Sequence, residues 1–361
     1  MAHKKEETIM NDRENRLRAI RFEGPERIPM SFGFNAACYH HYDHDVLKDL
    51  MEEHTLLFPG FERTPEPLEP GIAPWQRADE PYRDPWGCLW VTSDDGITGH
   101  VVENALADWE DFDGYLPPDP DKTKGKAPEG SIDWEEEATR IERRKQNGQF
   151  VGGGLPHGHT YLRLLDLREY ENLTFDMADD EPLLRELIGM VESFNLHTVR
   201  RYVEMGVDQM SYAEDLGMQE GPMLSPAHFR KYIKPAYRRM MRPAHEAGCI
   251  LHMHSDGDIR ELTEDLIDLG LDVLNLQDLV NGIDWIRDNL KGRACIDLDI
   301  DRQRIVRFGT PPEIDDLIRE EVEKLATPEG GLMMTCGIYP GIPVENLRAL
   351  MDAMEKYSDP F

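Results

Sequence analysis

Apolar positions in the second half of the chain follow two alternating patterns, one typical of helices and one typical of buried strands. Residues 181–205 place Leu184, Leu187 and Val191 on one helical face. Short apolar segments of strand length follow, at 208–213, 249–254, 272–276, 294–298 and 332–336. Helices are predicted between them, over 226–247, 258–269, 281–290 and 311–326. Repeated strand–helix units of this length predict parallel strands joined by helical crossovers.

The first part of the chain is less regular. Helices are predicted over 11–22, 46–58 and 134–146, and strands over 28–34 and 150–153. Residues 86–91 and 99–103 predict a hairpin that turns at Asp94-Asp95-Gly96, and a polar loop follows at 117–133. With an eighth strand allowed for, this pattern favours the α/β class, as a (β/α)8 TIM barrel with an N-terminal extension and a hairpin insertion.

A doubly wound nucleotide-binding sheet is the weaker alternative, because Gly152-Gly153-Gly154 lacks the spacing of a dinucleotide-binding loop. We expect one barrel domain over 1–361, with an N-terminal part at 1–133 and regular βα units at 134–361.

Composition narrows the possible partners and compartments. The 361 residues include 40 Lys and Arg against 71 Asp and Glu, a formal net charge of −31, and 40% are hydrophobic. Enough apolar material for a packed core excludes a disordered acidic tail, and the acidity argues against nucleic acid and membrane surfaces as partners. The N-terminus lacks an apolar signal region, and the five cysteines are scattered rather than arranged as a disulfide framework. We therefore expect a cytoplasmic protein.

Polar side chains collect where the predicted strands end, which is where barrel enzymes place their chemistry. In the segment Cys249–Gly257, strand alternation puts His252, His254 and Asp256 on one face, towards the barrel axis. Imidazole, carboxylate and thiolate ligands suit zinc, so His254, Asp256 and Cys336 are candidate ligands, with His252 a substitute. A hydrogen-bonded His/Asp network is an equally good interpretation. For Asp297, Asp299 and Asp258, capping of a following helix is the preferred role.

Several longer segments resemble the uroporphyrinogen decarboxylase superfamily over essentially the whole chain. They are NDRENRLRAIRFEGPERIPMSF, SYAEDLGMQEGPMLSPAHFRKYIKPAYRRMMRPAHEAG, ILHMHSDGDIRELTEDLIDLGLDVLN and MTCGIYPGIPVENLRALMDA. The resemblance implies a (β/α)8 barrel and one of two activities. Decarboxylation of a tetrapyrrole is disfavoured, because the segment 32–42 lacks the family's arginines and 58–61 lacks its Asp.

The other activity implied by the resemblance is methyl transfer to or from a corrinoid. Members with that activity carry an H-x-C motif and a Cys in a CG-x-x-P turn. His254 and Cys336 match these positions, and Asp256 replaces the first Cys. An oxygen ligand in place of sulfur makes zinc a stronger Lewis acid.

Together with the candidate zinc ligands, the resemblance therefore implies a zinc-dependent methyltransferase that moves a methyl group between a small O-, N- or S-methyl compound, or a thiol, and a corrinoid (cobalamin type). We expect the corrinoid on a separate carrier protein, and direct binding to this chain is the alternative. We expect a neutral or cationic substrate and a homodimer. Glu214 or Asp215 is the candidate acid/base, and the candidate substrate contacts are His157, His159, Tyr212 and Gln277. Two alternatives remain open: a decarboxylase of the uroporphyrinogen type, and a non-catalytic relative that binds a small molecule.

Overall fold

The computed structural model describes residues 10–361. It contains ten strands within this range. Their bounds are β1 (Met30–Phe34), β2 (Tyr82–Arg83), β3 (Leu89–Val91), β4 (His100–Glu103), β5 (Gly152–Gly154), β6 (Gln209–Asp215), β7 (Ile250–Asp256), β8 (Val273–Gln277), β9 (Cys295–Asp299) and β10 (Leu332–Ile338).

Fifteen α-helices connect these strands in the described part of the chain. The first seven are α1 (Asp12–Arg21), α2 (Cys38–His41), α3 (His44–Glu53), α4 (Trp134–Gln146), α5 (Tyr161–Arg168), α6 (Tyr170–Asp179) and α7 (Pro182–Glu204). The others are α8 (Pro226–His228), α9 (Lys234–Glu246), α10 (Thr263–Ile267), α11 (Asp278–Asn281), α12 (Ile283–Asn289), α13 (Ile305–Phe308), α14 (Pro311–Leu325) and α15 (Val344–Lys356). The chain between α8 and α9, Phe229–Ile233, is a π-helical turn.

Seven parallel strands form one curved sheet in the order β1-β10-β9-β8-β7-β6-β5. The helices cover its outer face, where apolar side chains make the main core. The predicted α/β barrel fold is confirmed. The difference lies in strand number: the described residues supply seven hydrogen-bonded strands rather than eight, and β1 and β5 are the two edges of the sheet.

The predicted hairpin is also confirmed, as a separate antiparallel sheet of β2, β3 and β4. Trp90 in β3 is buried, and its indole N–H donates to Asp84 Oδ2 at 3.0 Å. Arg163 of α5 donates to the same carboxylate oxygen at 2.7 Å. The bond from Arg163 attaches the small sheet to the barrel, and the bond from Trp90 holds the Asp84 carboxylate in place for it.

Two glycines set the spacing of the loops that follow β6 and β7. Gly257 has φ +81°, and a Cβ at this position would overlap the backbone of Gly217. Gly217 N–H in turn donates to the carbonyl oxygen of Asp256 at 3.2 Å. This close backbone contact holds the ends of β6 and β7, and hence Asp215 and Asp256, side by side.

Among the described residues, none of the helices combines the length and the apolar character that a membrane crossing requires.

Candidate functional site

A cavity of about 890 Å³ lies at the carboxyl ends of the parallel strands. Its floor is polar, with side chains from β6, β7, β8 and β9. Part of the antiparallel sheet and the loop before α4 form the opposite wall. Its lining includes Trp75, Trp90, Lys124, Lys126, His157, Asp166, Asp215, His254, Asp256, Asn275, Asp299, Arg302, Thr335, Gly337 and Tyr339.

His254 is held in one orientation by its neighbour on β8. Nδ2 of Asn275 donates to the carbonyl oxygen of Asp297 at 2.6 Å, so the amide oxygen of Asn275 faces His254. That oxygen accepts a hydrogen bond from Nδ1 of His254. Because Nδ1 carries the proton, Nε2 keeps its lone pair, and it lies 3.6 Å from an oxygen of Asp215 and 3.6 Å from an oxygen of Asp256.

Asp215 occupies the centre of this group. Its Oδ1 accepts the backbone N–H of Asp256 at 3.2 Å and lies 3.1 Å from Nε2 of His157. Burial opposes ionisation of Asp215, but the hydrogen bond and charge of His157, together with the backbone N–H of Asp256, outweigh it, so the pKa of the carboxyl group is lowered. Burial likewise opposes protonation of His157, yet the hydrogen bond and charge of Asp215 raise the pKa of its imidazole. Asp215 is therefore held as a carboxylate between two imidazoles.

His157, Asp215 and His254 could together hold a metal ion, since one ligand atom of each lies within 4.8 Å of the others. Tetrahedral zinc with bonds of about 2.0–2.1 Å places its ligand atoms about 3.3 Å apart. The separations of 3.1 Å and 3.6 Å from Asp215 to the two imidazoles fall on either side of that value. Two imidazoles and a carboxylate also leave one coordination position open for a substrate. The donor set therefore fits zinc.

A second group of possible ligands, His254, Asp256 and Asp299, lies on the neighbouring strands. Arg302 already pairs with both of its acidic members. One guanidinium nitrogen donates to both oxygens of Asp299, at 2.6 and 2.7 Å, and another lies 3.3 Å from Asp256. A cation here would have to displace this charge, so the group around Asp215 is the better metal site.

Cys336 is not brought to the cavity. On β10, Thr335 and Gly337 line the cavity, and strand alternation turns Cys336 to the opposite, apolar face. Its side chain is buried, with Sγ 3.8 Å from the carbonyl oxygen of Ile300. Burial and the charge of Asp299 raise the pKa of the thiol well above its usual range. The ligand set His254, Asp256 and Cys336 predicted from the sequence is therefore not assembled.

Glu214 and Tyr212 also point away from the cavity. Both lie on the face of β6 that turns towards the helices, and both are fully buried. Glu214 accepts the first backbone N–H groups of α5, among them that of Tyr161 at 2.8 Å, and the hydroxyl of Tyr237 at 2.7 Å. Its carboxylate therefore caps a helix. Of the two candidate acid/base residues, only Asp215 lines the cavity.

Of the four predicted substrate contacts, the structure places only His157 in the cavity wall. His159 is buried, with Nδ1 2.5 Å from the Thr160 hydroxyl, and burial lowers the pKa of its imidazole to about 3. Gln277 accepts the backbone N–H of Gly257 at 2.9 Å and so supports the loop after β7.

His252, the predicted substitute ligand, and two of the three acids predicted to cap helices bind other side chains instead. His252 lies on the predicted face of β7, but its Nε2 is 3.0 Å from Asp297, outside both metal groups. Asp297 and Asp299 are buried within β9 and bind His252 and Arg302, so capping is not their role. Asp258 does accept the backbone N–H of Arg260, at 3.1 Å, as a cap would.

Sequence reasoning missed Lys126, Arg302 and the orienting role of Asn275. Lys126 lies in the polar loop 117–133, where its sequence context carries no signal of burial. Asn275 was visible as a polar residue in an otherwise apolar strand, Val273–Gln277.

Comparison with known proteins identifies the family of this chain and agrees with its fold. The family model described as uroporphyrinogen decarboxylase (URO-D) matches residues 94–357. One curated relative, the methylcobamide:CoM methyltransferase MtaA of Methanosarcina barkeri, is 27% identical over 163 residues, 43% of each chain. Another, a uroporphyrinogen decarboxylase of Gloeobacter violaceus, is 31% identical over 189 residues, 50% of each chain. The matched parts therefore span half or less of these relatives' length.

A solved structure has the same fold over nearly the full chain. It is a methyltransferase from Methanosarcina mazei, with a TM-score of 0.65 and 17% identity, and the match covers 96% of this chain and 99% of that one. The family match extends over most of the chain and includes the strands that carry Asp215 and His254. The chain belongs to the uroporphyrinogen decarboxylase (URO-D) family.

Proposed function

We propose that this protein is a zinc-dependent methyltransferase, in which His157, Asp215 and His254 hold the metal and the cavity above them binds a small methylated substrate. The observation that carries the proposal is the convergence of two imidazole nitrogens on one ionised carboxylate at the carboxyl ends of the strands. The named activity of the Methanosarcina barkeri relative, methylcobamide:CoM methyl transfer, gives the reaction class.

Bound zinc would supply Lewis acidity, which makes a heteroatom that carries or accepts a methyl group a better leaving group or nucleophile. The chain's own residues prepare this site. Asn275 fixes the tautomer of His254, and the Asp256 backbone N–H helps to position Asp215. Arg302 donates a hydrogen bond that holds Asp299 in place. Its second guanidinium nitrogen faces Asp256, so its positive charge offsets negative charge beside the ligands.

The second reactant is a corrinoid on a separate carrier protein. A cavity of about 890 Å³ has the size of a site for one small ligand. A substrate would fill it, and the corrinoid would approach from the open mouth. The MtaA relative's name, which includes a methylcobamide, supports a corrinoid as the second reactant.

Decarboxylation of a tetrapyrrole is the alternative, since a uroporphyrinogen decarboxylase is among the relatives. The cavity disfavours it. Asp166, Asp215, Asp256 and Asp299 all line its wall, and a substrate with many carboxylates would be repelled unless several cations were free to bind it. Arg302 is engaged by Asp299, and Lys124 donates to Tyr202.

Spectrophotometry of free corrinoids tests the proposal. Purified protein with zinc is mixed with methylcobalamin and a panel of small thiols, or with cob(I)alamin and O-, N- and S-methyl compounds, and the corrinoid absorbance is followed. We expect methyl transfer with the wild type, loss of it in His254→Ala, and wild-type rates in His41→Ala, a matched control at an exposed His–Asp pair. Methyl transfer that persists in His254→Ala overturns the proposal. So does a wild type that transfers no methyl group with any reactant but converts uroporphyrinogen.

A further inference from the structure

One cationic side chain in the cavity wall lacks a partner. Three Lys and Arg residues line the cavity among the residues described. Arg302 binds Asp299 through two hydrogen bonds, and Lys124 donates to the hydroxyl of Tyr202. Within the described range, the ammonium group of Lys126 neither donates a hydrogen bond to a protein acceptor nor lies within 4.0 Å of a carboxylate.

The surrounding structure fixes Lys126 in this position. Its backbone carbonyl accepts the hydroxyl of Tyr82 at 3.0 Å, and its Nζ lies 4.2 Å from the centre of the Trp90 ring. The Trp90 ring is itself held by the bond from its indole N–H to Asp84. The ammonium group is thus placed against a rigid aromatic face in the cavity wall.

The unpaired ammonium group of Lys126 favours binding of an anion. Burial lowers the pKa of Lys126, which reflects the loss of hydrating water around the ammonium group. A partly desolvated ammonium group without a protein acceptor is unfavourable, and the cation–π contact with Trp90 offsets only part of that cost. Asp166 is the carboxylate whose charge acts most on Lys126, but it lies more than 4.0 Å from the ammonium group, pairs with Arg163 at 3.6 Å, and burial raises the pKa of its carboxyl group to about 6. An external anion would complete the site.

We propose that Lys126 binds a carboxylate of the substrate, so that the methylated compound acted on is a small carboxylic acid rather than a neutral or cationic molecule. This inference rests on the proposed function for the methyl-bearing end, which would lie at the floor of the cavity, near His254. Trp75, Trp90 and Tyr339 add aromatic surface between the two ends, against which the body of the substrate can pack. Lys126 alone thereby allows an otherwise acidic cavity to bind an anionic substrate.

Binding calorimetry with matched probe pairs tests the carboxylate site. The aromatic pair is 4-methoxybenzoate and 4-methoxybenzyl alcohol, and the aliphatic pair is N,N-dimethylglycine and 2-(dimethylamino)ethanol. In at least one pair we expect the acid to bind the wild type about tenfold or more tighter than the alcohol, since a hydrogen bond to a charged group contributes about 1.5–3 kcal/mol. The pair that shows this preference identifies the body of the substrate.

Lys126→Met should remove the preference for the acid while leaving the affinity for the alcohol unchanged, and Lys126→Arg should restore it in part. Lys122→Met, at an exposed lysine of the same loop, should behave as the wild type. If Lys126→Met does not fold, Lys126→Arg and Lys126→Gln make the same comparison. Equal binding of acid and alcohol to the wild type, failure of both acids to bind, or an unchanged acid preference in Lys126→Met would each overturn the proposal.

These titrations need neither corrinoid nor turnover. Acid binding that depends on Lys126 in a protein that transfers no methyl group would contradict the proposed function alone. Methyl transfer that is indifferent to Lys126→Met would contradict the carboxylate site alone.

Discussion

Replacement of Glu214 by glutamine separates a structural role of this residue from a chemical one. Its Oε2 accepts the backbone N–H groups of Thr160 and Tyr161, at 3.0 and 2.8 Å, and the Tyr237 hydroxyl, and its Oε1 accepts the N–H of Leu162 at 3.1 Å. The side chain is fully buried, so water cannot replace any of these acceptors. We therefore expect Glu214→Gln to destabilise the fold.

The size of this loss of stability follows from the number of acceptor oxygens that each side chain offers. Glutamine offers one oxygen, so its amide N–H₂ must face at least one buried N–H donor, which costs about 1–3 kcal/mol. The remaining bonds lose the assistance of the charge, while the removal of a buried charge offsets part of the loss. We expect a net decrease of about 2–4 kcal/mol in the free energy of unfolding.

Urea unfolding followed by tryptophan fluorescence and circular dichroism measures this change. Glu264→Gln is the control, because Glu264 forms an exposed pair with Arg293 and its loss should leave the unfolding free energy at the wild-type value. The zinc content of folded Glu214→Gln should be normal. Wild-type stability together with abolished methyl transfer would refute the capping role and restore Glu214 as an acid/base residue.

Three further predictions follow from the packing around the site. Asn275→Leu should weaken zinc binding about 10–100-fold in competition with a chromogenic chelator, because it frees the His254 tautomer; unchanged affinity would contradict that role. Cys336 should resist iodoacetamide in the native protein and react after unfolding in urea, since the thiol is buried and its pKa is raised; rapid native alkylation would place it in the cavity instead. Asp278 and Glu321 form a buried acidic pair, and burial raises the pKa of Asp278 to about 6 and that of Glu321 well above its usual range. The folded state thus holds a proton that the unfolded chain releases near pH 4, so stability should fall as pH rises through about 6. Glu321→Gln should therefore gain stability relative to the wild type at pH 8 but not at pH 4, and an equal difference at both pH values would disprove the shared proton.

The order of strands and helices could be predicted because each strand is a short apolar segment bounded by turn residues. Strand alternation also placed His252, His254 and Asp256 correctly on one face of β7. The same rule could have separated Asp215 from Glu214. Glu214 shares its face with the apolar Met210 and Tyr212, whereas Asp215 shares its face with Gln209, Ser211 and Ala213, none of them a large apolar residue.

Cys336 illustrates the same point on β10. It has the same parity as Leu332, Met334 and Ile338, which are all apolar, so the sequence already indicated a core position. The family resemblance favoured a ligand role over this local pattern. His157 and Lys126 could not be placed from the sequence, because each reaches the cavity from a loop whose path depends on packing against the barrel.

Zinc stoichiometry tests the central claim most directly. The wild type, Asp215→Asn and Cys336→Ala are loaded with zinc, dialysed and analysed by mass spectrometry of the metal. The structure predicts about one zinc per chain in the wild type and in Cys336→Ala, and a sharp loss in Asp215→Asn. Zinc retained by Asp215→Asn and lost from Cys336→Ala would contradict the site formed by His157, Asp215 and His254.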